Sequence, residues 1–141
     1  MKINLLGMER KYDLDDRCVA FGADVVKYAA HMPKTVAGTH LAKQLLRSGT
    51  SPALHYGEVQ SAESYADFIH KMKVALKELR ESRNNLRIQR QAGMVAANSA
   101  SLDALLNECN SLIAIFAKSV KTAQQNSSKS RKGPGEKDQP S

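Results

Sequence analysis

Four stretches of the sequence place apolar residues three or four positions apart, the spacing that gives an α-helix one apolar face. The first stretch is the most regular, with steps of 4, 3, 4, 3 and 4 residues. Its apolar residues are Leu14, Cys18, Phe21, Val25, Tyr28 and Met32. Asp15 and Asp16 stand near its start, where carboxylates suit the positive end of a helix dipole. This pattern predicts an all-α fold.

Three further segments repeat this spacing less regularly. The second extends from about Lys34 to Tyr56 and has leucines at its core positions. The third starts near Ser61, a candidate helix cap, and ends near Gln91, two residues before a glycine. The fourth opens at Asn-Ser-Ala-Ser, residues 98–101, and carries a long apolar face. Four amphipathic helices with short connections favour an antiparallel up-down four-helix bundle.

The two ends of the chain lack this pattern. Residues 1–12 are predicted to be an N-terminal extension, with too short an apolar run for a signal peptide. Residues 126–141 are rich in Ser, Gly, Pro and charge, which predicts a disordered basic tail. The bundle is therefore predicted to occupy residues 13–125. No run approaches the roughly 20 apolar residues of a membrane span, so we expect no membrane association and a cytoplasmic location.

Few residues suggest chemistry. Cys18 and Cys109 occupy apolar helical positions and neither belongs to a Cys-x-x-Cys pair, so we interpret them as buried, reduced thiols. No phosphate-binding glycine loop precedes a predicted helix, and no nucleophile, base and oxyanion-stabilising group occur together. We therefore expect a protein without enzymatic activity and without a cofactor.

The sequence RSGTSPALHYGEV, residues 47–59, interrupts the second segment with two glycines and a proline. In a helix interior Gly49 costs about 1 kcal/mol and Pro52 about 3 kcal/mol. The proline is expected to deprive the carbonyl of Ser48 of its helical partner and to bend the helix. We predict a kinked helix whose small residues let a neighbouring helix approach closely.

His55 and Glu58 lie within the same stretch and share a helical face, which raises a metal site as an alternative. A di-iron bundle needs carboxylates from four helices and two Glu-x-x-His motifs, and this sequence offers no such motif. We therefore predict no metal site. Glu58 is instead predicted to be a buried or interface carboxylate, with Arg47 as its counter-charge.

The formal net charge is +7, and the excess lies in the two central segments and the tail. The predicted nucleic-acid-binding residues are Lys73, Lys77, Arg80, Arg83, Arg87 and Arg90 in the third segment and Lys129, Arg131 and Lys132 in the tail. Such a distribution suggests a polyanionic partner, while a solubilising surface is the alternative. Glu78 and Glu81 lie among the basic residues of the third segment, so ion pairs within that helix are a further alternative.

The ordered pattern over residues 14–125 resembles the bacterial four-helix-bundle family of 23S ribosomal RNA intervening-sequence proteins. The pieces that carry the resemblance include Gln44-Leu45-x-Arg47, Ser48-Gly-Thr-Ser-Pro-Ala53, Ala62-Glu-Ser64, Ala66-Asp-Phe-Ile-His-Lys71 and Glu108-Cys-Asn-x-Leu112. The resemblance implies an antiparallel bundle that forms a homo-oligomer, specifically a pentamer. A related branch serves as the nucleic-acid-binding accessory subunit of diversity-generating retroelement reverse transcriptases.

The chain departs from this family at a few positions. The family usually has Asn where this chain has His55, and Ala or Gly at Gly57 and Val59. It often has an aromatic residue near Asn84 and Asn85. A family function that depends on those positions is therefore not expected to carry over to this chain. The four-helix bundle does not depend on them.

Two functions follow from these observations. The first is a non-enzymatic oligomeric bundle that binds RNA or DNA electrostatically through its basic face, with little recognition of individual bases because aromatic residues are few. The alternative is a protein-interaction scaffold, or accessory subunit of a partner enzyme, with no direct role in binding nucleic acid.

Overall fold

The structure, a computed structural model, describes residues 11–96 and 98–131. This part of the chain forms four α-helices and contains no β-strand. The helices are α1 Lys11–Ala29, α2 Val36–Gln60, α3 Tyr65–Gln91 and α4 Ala100–Arg131. The predicted all-α fold is confirmed.

Contacts between α2 and α3 run in opposite directions along the two helices. The side-chain amide of Asn85 donates to the carbonyl of Leu41 at 3.0 Å, whereas Lys71 Nζ lies 3.5 Å from the carbonyl of Glu58. Each helix packs against the next one in the chain, and α1 also touches α4, more sparsely. The four helices therefore form the predicted up-down antiparallel bundle.

The core is built from the faces that the apolar spacing indicates. Its largest fully buried apolar side chains are Phe21, Val25, Leu45, Tyr56, Val59, Met72, Leu79, Leu86, Leu102, Leu112 and Phe116. Burial of one such side chain contributes about 1.5–3 kcal/mol. Tyr28 is only partly buried, and Met32 is buried although it lies beyond the end of α1.

The helix ends correct two predicted boundaries. Thr35 caps α2 by accepting a hydrogen bond from the Gly38 amide at 3.0 Å, and α2 continues four residues past Tyr56 to Gln60. Ser64, rather than the predicted Ser61, caps α3 by accepting from the Asp67 amide. Ser61 instead ends α2, because its backbone N–H donates to the carbonyl of Gly57 at 3.2 Å and so closes the last turn of that helix.

The last helix is longer than predicted, because α4 continues to Arg131 and so includes the first residues of the segment assigned to a disordered tail. Adding a residue to a formed helix costs little compared with nucleation, so a helix can extend beyond its packed region. The remaining tail, residues 132–141, and most of the predicted N-terminal extension lie outside the described residues. The predicted end of α3 is confirmed by Gly93, which has a φ of 70°.

The helices pack closely where Ser48 and Gly49 lie. A Cβ atom added to Gly49 would stand 2.8 Å from a methyl group of Val25 on α1, closer than such carbons approach. Ser48 Oγ lies 2.8 Å from Ser82 Oγ on α3 in the buried interior. The predicted close approach is thus confirmed, and it involves a helix on each side of α2.

Pro52 does not end the helix, since α2 runs continuously from Val36 to Gln60 with the proline buried inside it. The nearby hydroxyl of Thr50 donates to the carbonyl of Leu46 at 2.6 Å. A bend at the proline stays a prediction.

The close contact of Gly49 with Val25 can be tested by comparing Gly→Ala substitutions at two positions of α2. An added methyl group at Gly49 overpacks the interface at a cost of about 1–3 kcal/mol. At Gly57, which is exposed and has no atom within 4 Å of an added Cβ, the same change gains up to about 1 kcal/mol in helix propensity. We expect Gly49→Ala to be less stable than Gly57→Ala by at least about 1 kcal/mol in urea unfolding. Equal free energies of unfolding would contradict the close approach.

Candidate functional site

An exposed basic row runs along α3, and we define it as Lys73, Lys77, Arg80 and Arg87. Helical spacing of three and four residues brings the first three onto one outward surface. None of these three has a carboxylate within 4.0 Å among the residues that the structure describes. The row therefore presents cations whose charge is not neutralised by a direct partner.

The two acidic residues that interrupt the row point to another helix. Arg47 on α2 donates from Nη1 to Glu78 Oε2 at 2.8 Å and from Nη2 to Glu81 Oε2. The hydrogen bond to Glu81 is the largest cause that raises the pKa of Arg47. The two glutamates thus pair across the α2–α3 interface rather than with basic residues of their own helix.

The predicted pairing of Arg47 with Glu58 is wrong. The two residues are eleven positions apart on α2, which separates them by about 16 Å along the helix axis. The side chain of Glu58 is 64% exposed and lies 3.5 Å from His55 Nδ1. Glu58 is therefore not buried in the chain, and a role for it at an interface stays a prediction.

The described residues contain no cluster of three or more His, Cys, Asp or Glu side chains that could hold a metal ion. Cys18 and Cys109 are buried, as predicted, and neither forms a disulfide. Burial is the main cause that raises the pKa of each thiol to about 12. Both cysteines are thus protonated at neutral pH.

A cleft between α3 and α4 contains three of the predicted arginines. Arg83, Arg87 and Arg90 line it from α3, and Leu106 and Asn110 line it from α4. We call it the arginine cleft. Arg87 belongs to both the cleft and the basic row, so the two surfaces are continuous.

The arginines of the cleft differ in their partners. Arg90 forms an ion pair with Asp103 on α4, and Arg87 Nη1 donates to Asn84 Oδ1 at 3.2 Å. The Nε atoms of Arg83 and Arg90 are buried and have no acceptor among the described residues. A buried donor without an acceptor costs about 1–3 kcal/mol.

The three tail residues predicted to bind nucleic acid are placed only in part. Lys129 is exposed in the last turns of α4, on a different helix from the basic row. Arg131 is the last residue of α4, whereas Lys132 lies outside the described residues. Their contribution stays a prediction.

A polar chain that the sequence did not reveal crosses the bundle interior. Tyr28 Oη donates to Gln89 Oε1 at 2.8 Å, and Gln89 Nε2 donates to Asn85 Oδ1 at 2.7 Å. Asn85 donates in turn to the carbonyl of Leu41, so the chain joins α1, α3 and α2. Its signal in the sequence was the position of Asn85 and Gln89, one helical turn apart and beside the apolar residues of α3.

A second polar contact that sequence reasoning missed joins α1 to α4. Arg17 donates to both carboxylate oxygens of Glu108, at 3.1 and 2.7 Å, and to the hydroxyl of Ser111 at 2.8 Å. Bidentate pairs of this kind fix geometry as well as contributing energy. The contact orients α1 and α4, which touch each other more sparsely than consecutive helices do.

The profile of a family described as 23S rRNA-intervening sequence protein matches residues 10–118, which span all or most of each helix. The chain belongs to this family. In this 23S rRNA-intervening sequence protein, the family segment around Ser48 and Gly49 forms the close contact between helices. Asn85, where the family often has an aromatic residue nearby, contributes its side-chain amide to the interior polar chain.

A solved structure from the S23 ribosomal protein family of Bacteroides thetaiotaomicron, described as a protein of unknown function, is similar to this one with a TM-score of 0.69. The two sequences are 24% identical, and the match covers 79% of this chain and 98% of the other. At this identity the likeness shows the fold alone. No curated protein matches the sequence. None of the described helices is long and apolar enough to cross a membrane.

Two adjacent asparagines allow the polar chain to be tested. Replacing Asn85 with Ala removes the partner of both Gln89 and the Leu41 carbonyl and leaves buried polar groups unsatisfied. We expect Asn85→Ala to lower the free energy of unfolding by about 1–3 kcal/mol. Asn84→Ala, next to it and exposed, should change that free energy by less than about 0.5 kcal/mol. Similar losses in both variants would show that the polar chain does not stabilise the fold.

Proposed function

We propose that this 23S rRNA-intervening sequence protein is a non-enzymatic, homo-oligomeric bundle that binds nucleic acid electrostatically through the basic face of α3. The observation that carries the proposal is the engagement of both Glu78 and Glu81 by Arg47. Because that interaction occupies the two glutamates across helices, the adjacent basic row keeps its positive charge for an external anion.

The chemistry of the row favours phosphate contacts over base recognition. Lys73, Lys77 and Arg80 are exposed on one regular helix and present cations at a repeating interval. Neutralising phosphates with such groups releases condensed counterions, which makes binding steeply dependent on salt. No aromatic residue stands within the row to stack on bases, so binding is expected to tolerate many sequences. The family name points to RNA as the first nucleic acid to test.

Self-association would strengthen this interaction. A closed ring of identical subunits, such as the pentamer implied by the family resemblance, repeats the basic row around its symmetry axis. Several large apolar side chains are exposed on α1 and α2, among them Val19, Val26 and Leu54. Burial of such side chains between subunits would supply the hydrophobic part of the interface.

The binding test compares two triple variants that remove the same charge. One changes Lys73, Lys77 and Arg80 to Gln, and the control changes Lys27, Lys34 and Lys43, which are also exposed but lie outside α3. Titrations of an RNA hairpin at several NaCl concentrations give the affinity and its salt dependence. Each lost phosphate contact reduces the magnitude of the slope of log K against log[salt] by about 0.7–0.9. We therefore expect the slope of the α3 variant, which loses three contacts, to be smaller in magnitude than that of the wild type by about 2–3.

Two results would contradict the proposal. One is an equal loss of affinity in both triple variants, which would indicate an effect of net charge without a defined surface. The other is wild-type binding no tighter than about 10⁻⁴ to 10⁻⁶ M at physiological salt, the range of nonspecific contacts. The latter result would favour the alternative of a protein-interaction scaffold. Light scattering of the wild type at the same concentrations gives the oligomeric state independently.

A further inference from the structure

The arginine cleft has features that the basic row lacks. The row lies on an exposed helix surface, whereas the cleft is walled on one side by α3 and on the other by Leu106 and Asn110 of α4. Three arginines line it within two helical turns of α3. Neighbouring like charges repel each other, so an anion bound among them would be stabilised.

The acidic groups near the cleft compensate this charge only in part. Asp103 pairs with Arg90 at the edge. Glu108, the other carboxylate on the neighbouring part of α4, is engaged by Arg17 on the side of α1. Arg83 and Arg87 therefore have no carboxylate partner among the described residues. The cleft keeps an excess of positive charge.

The buried Nε atoms point to the same conclusion. Those of Arg83 and Arg90 lack an acceptor among the described residues. A guanidinium that binds an oxyanion side-on uses Nε and one Nη together, in a fork that matches phosphate geometry. An anion that contacts Nε and one Nη of a guanidinium in this way would satisfy the unpaired donor.

We propose that the arginine cleft is a binding site for a single phosphate group. Arg83, Arg87 and Arg90 supply the guanidinium donors, and Asn110 lines the cleft from α4. A phosphate carries up to two negative charges and more acceptor oxygens than a carboxylate, which suits a site with several convergent donors. The phosphate belongs either to a nucleic-acid backbone or to a free phosphate compound. Only the first source rests on the proposed function.

The first test uses the wild-type protein and inorganic phosphate at constant ionic strength. Nitrogen-15 spectra report the Nε–H signals of arginines and the side-chain amide of Asn110. We expect the Nε–H signals of Arg83 and Arg90 to shift saturably with phosphate, while that of Arg47, held by its two glutamates, stays in place. Absence of a saturable shift would overturn the site, and so would an equal response to sodium acetate, which would identify a carboxylate site.

The second test separates the arginine fork from charge alone. Arg83→Gln is expected to weaken phosphate binding by about tenfold or more, because a hydrogen bond to a charged group is lost. Arg83→Lys retains the charge but not the fork and is expected to be weakened as well. Arg80→Gln, one helical turn away and outside the cleft, should bind phosphate within about twofold of the wild type. Equal losses in Arg83→Gln and Arg80→Gln would contradict the proposal.

The same variants distinguish failure of the cleft from failure of the proposed function. If phosphate binds the wild type but RNA does not, the cleft serves free phosphate compounds and the nucleic-acid function is wrong. If RNA binds through the basic row while phosphate gives no saturable shift, the proposed function stands and the cleft is refuted. If Arg83→Gln lowers the affinity for both phosphate and RNA, the cleft holds a phosphate of the nucleic-acid backbone.

Discussion

The contact of Ser48 and Gly49 with the helices on either side determines how closely the bundle packs. Gly49 lets α1 approach α2 to a distance that a methyl group would prevent, and Ser48 meets Ser82 of α3 through a buried hydroxyl pair. Because protein interiors are close-packed, a larger residue at either position would push α2 away from a neighbouring helix. The glycine that weakens α2 as an isolated helix is therefore required by the bundle.

The same contact organises the outer surface. Arg47 immediately precedes Ser48, so the close approach of α2 and α3 brings its guanidinium to Glu78 and Glu81. Salt bridges at a surface contribute only about 0–1 kcal/mol to stability, so the main consequence concerns the distribution of charge. Two carboxylates are occupied across the interface, and the cations beside them on α3 remain available. Packing in the interior is thereby connected to the electrostatics of the exposed helix.

The apolar spacing was sufficient to predict four helices, their antiparallel order and most of the core. Burial of an amphipathic helix face requires only apolar residues at helical spacing, and the sequence shows that spacing directly. The polar contacts were not predictable in this way. Helical spacing alone separates Arg47 from Glu58 on α2, whereas the pairing of Arg47 with Glu78 and Glu81 depends on the register of α2 against α3, which the sequence does not give. The arginine cleft likewise depends on Asn110 and Leu106, which a sequence cannot place beside α3.

Arg47 keeps Glu78 and Glu81 away from the cations of α3, and its substitution should therefore change the affinity for RNA. Arg47→Gln and Lys43→Gln remove the same charge from exposed positions one turn apart on α2, and each is titrated with an RNA hairpin at low salt. Release of two glutamates toward the basic row should lower the affinity of Arg47→Gln by about two- to fivefold. Lys43→Gln should show a smaller loss. Equal affinities in the two variants would show that Arg47 does not preserve the charge of the basic row.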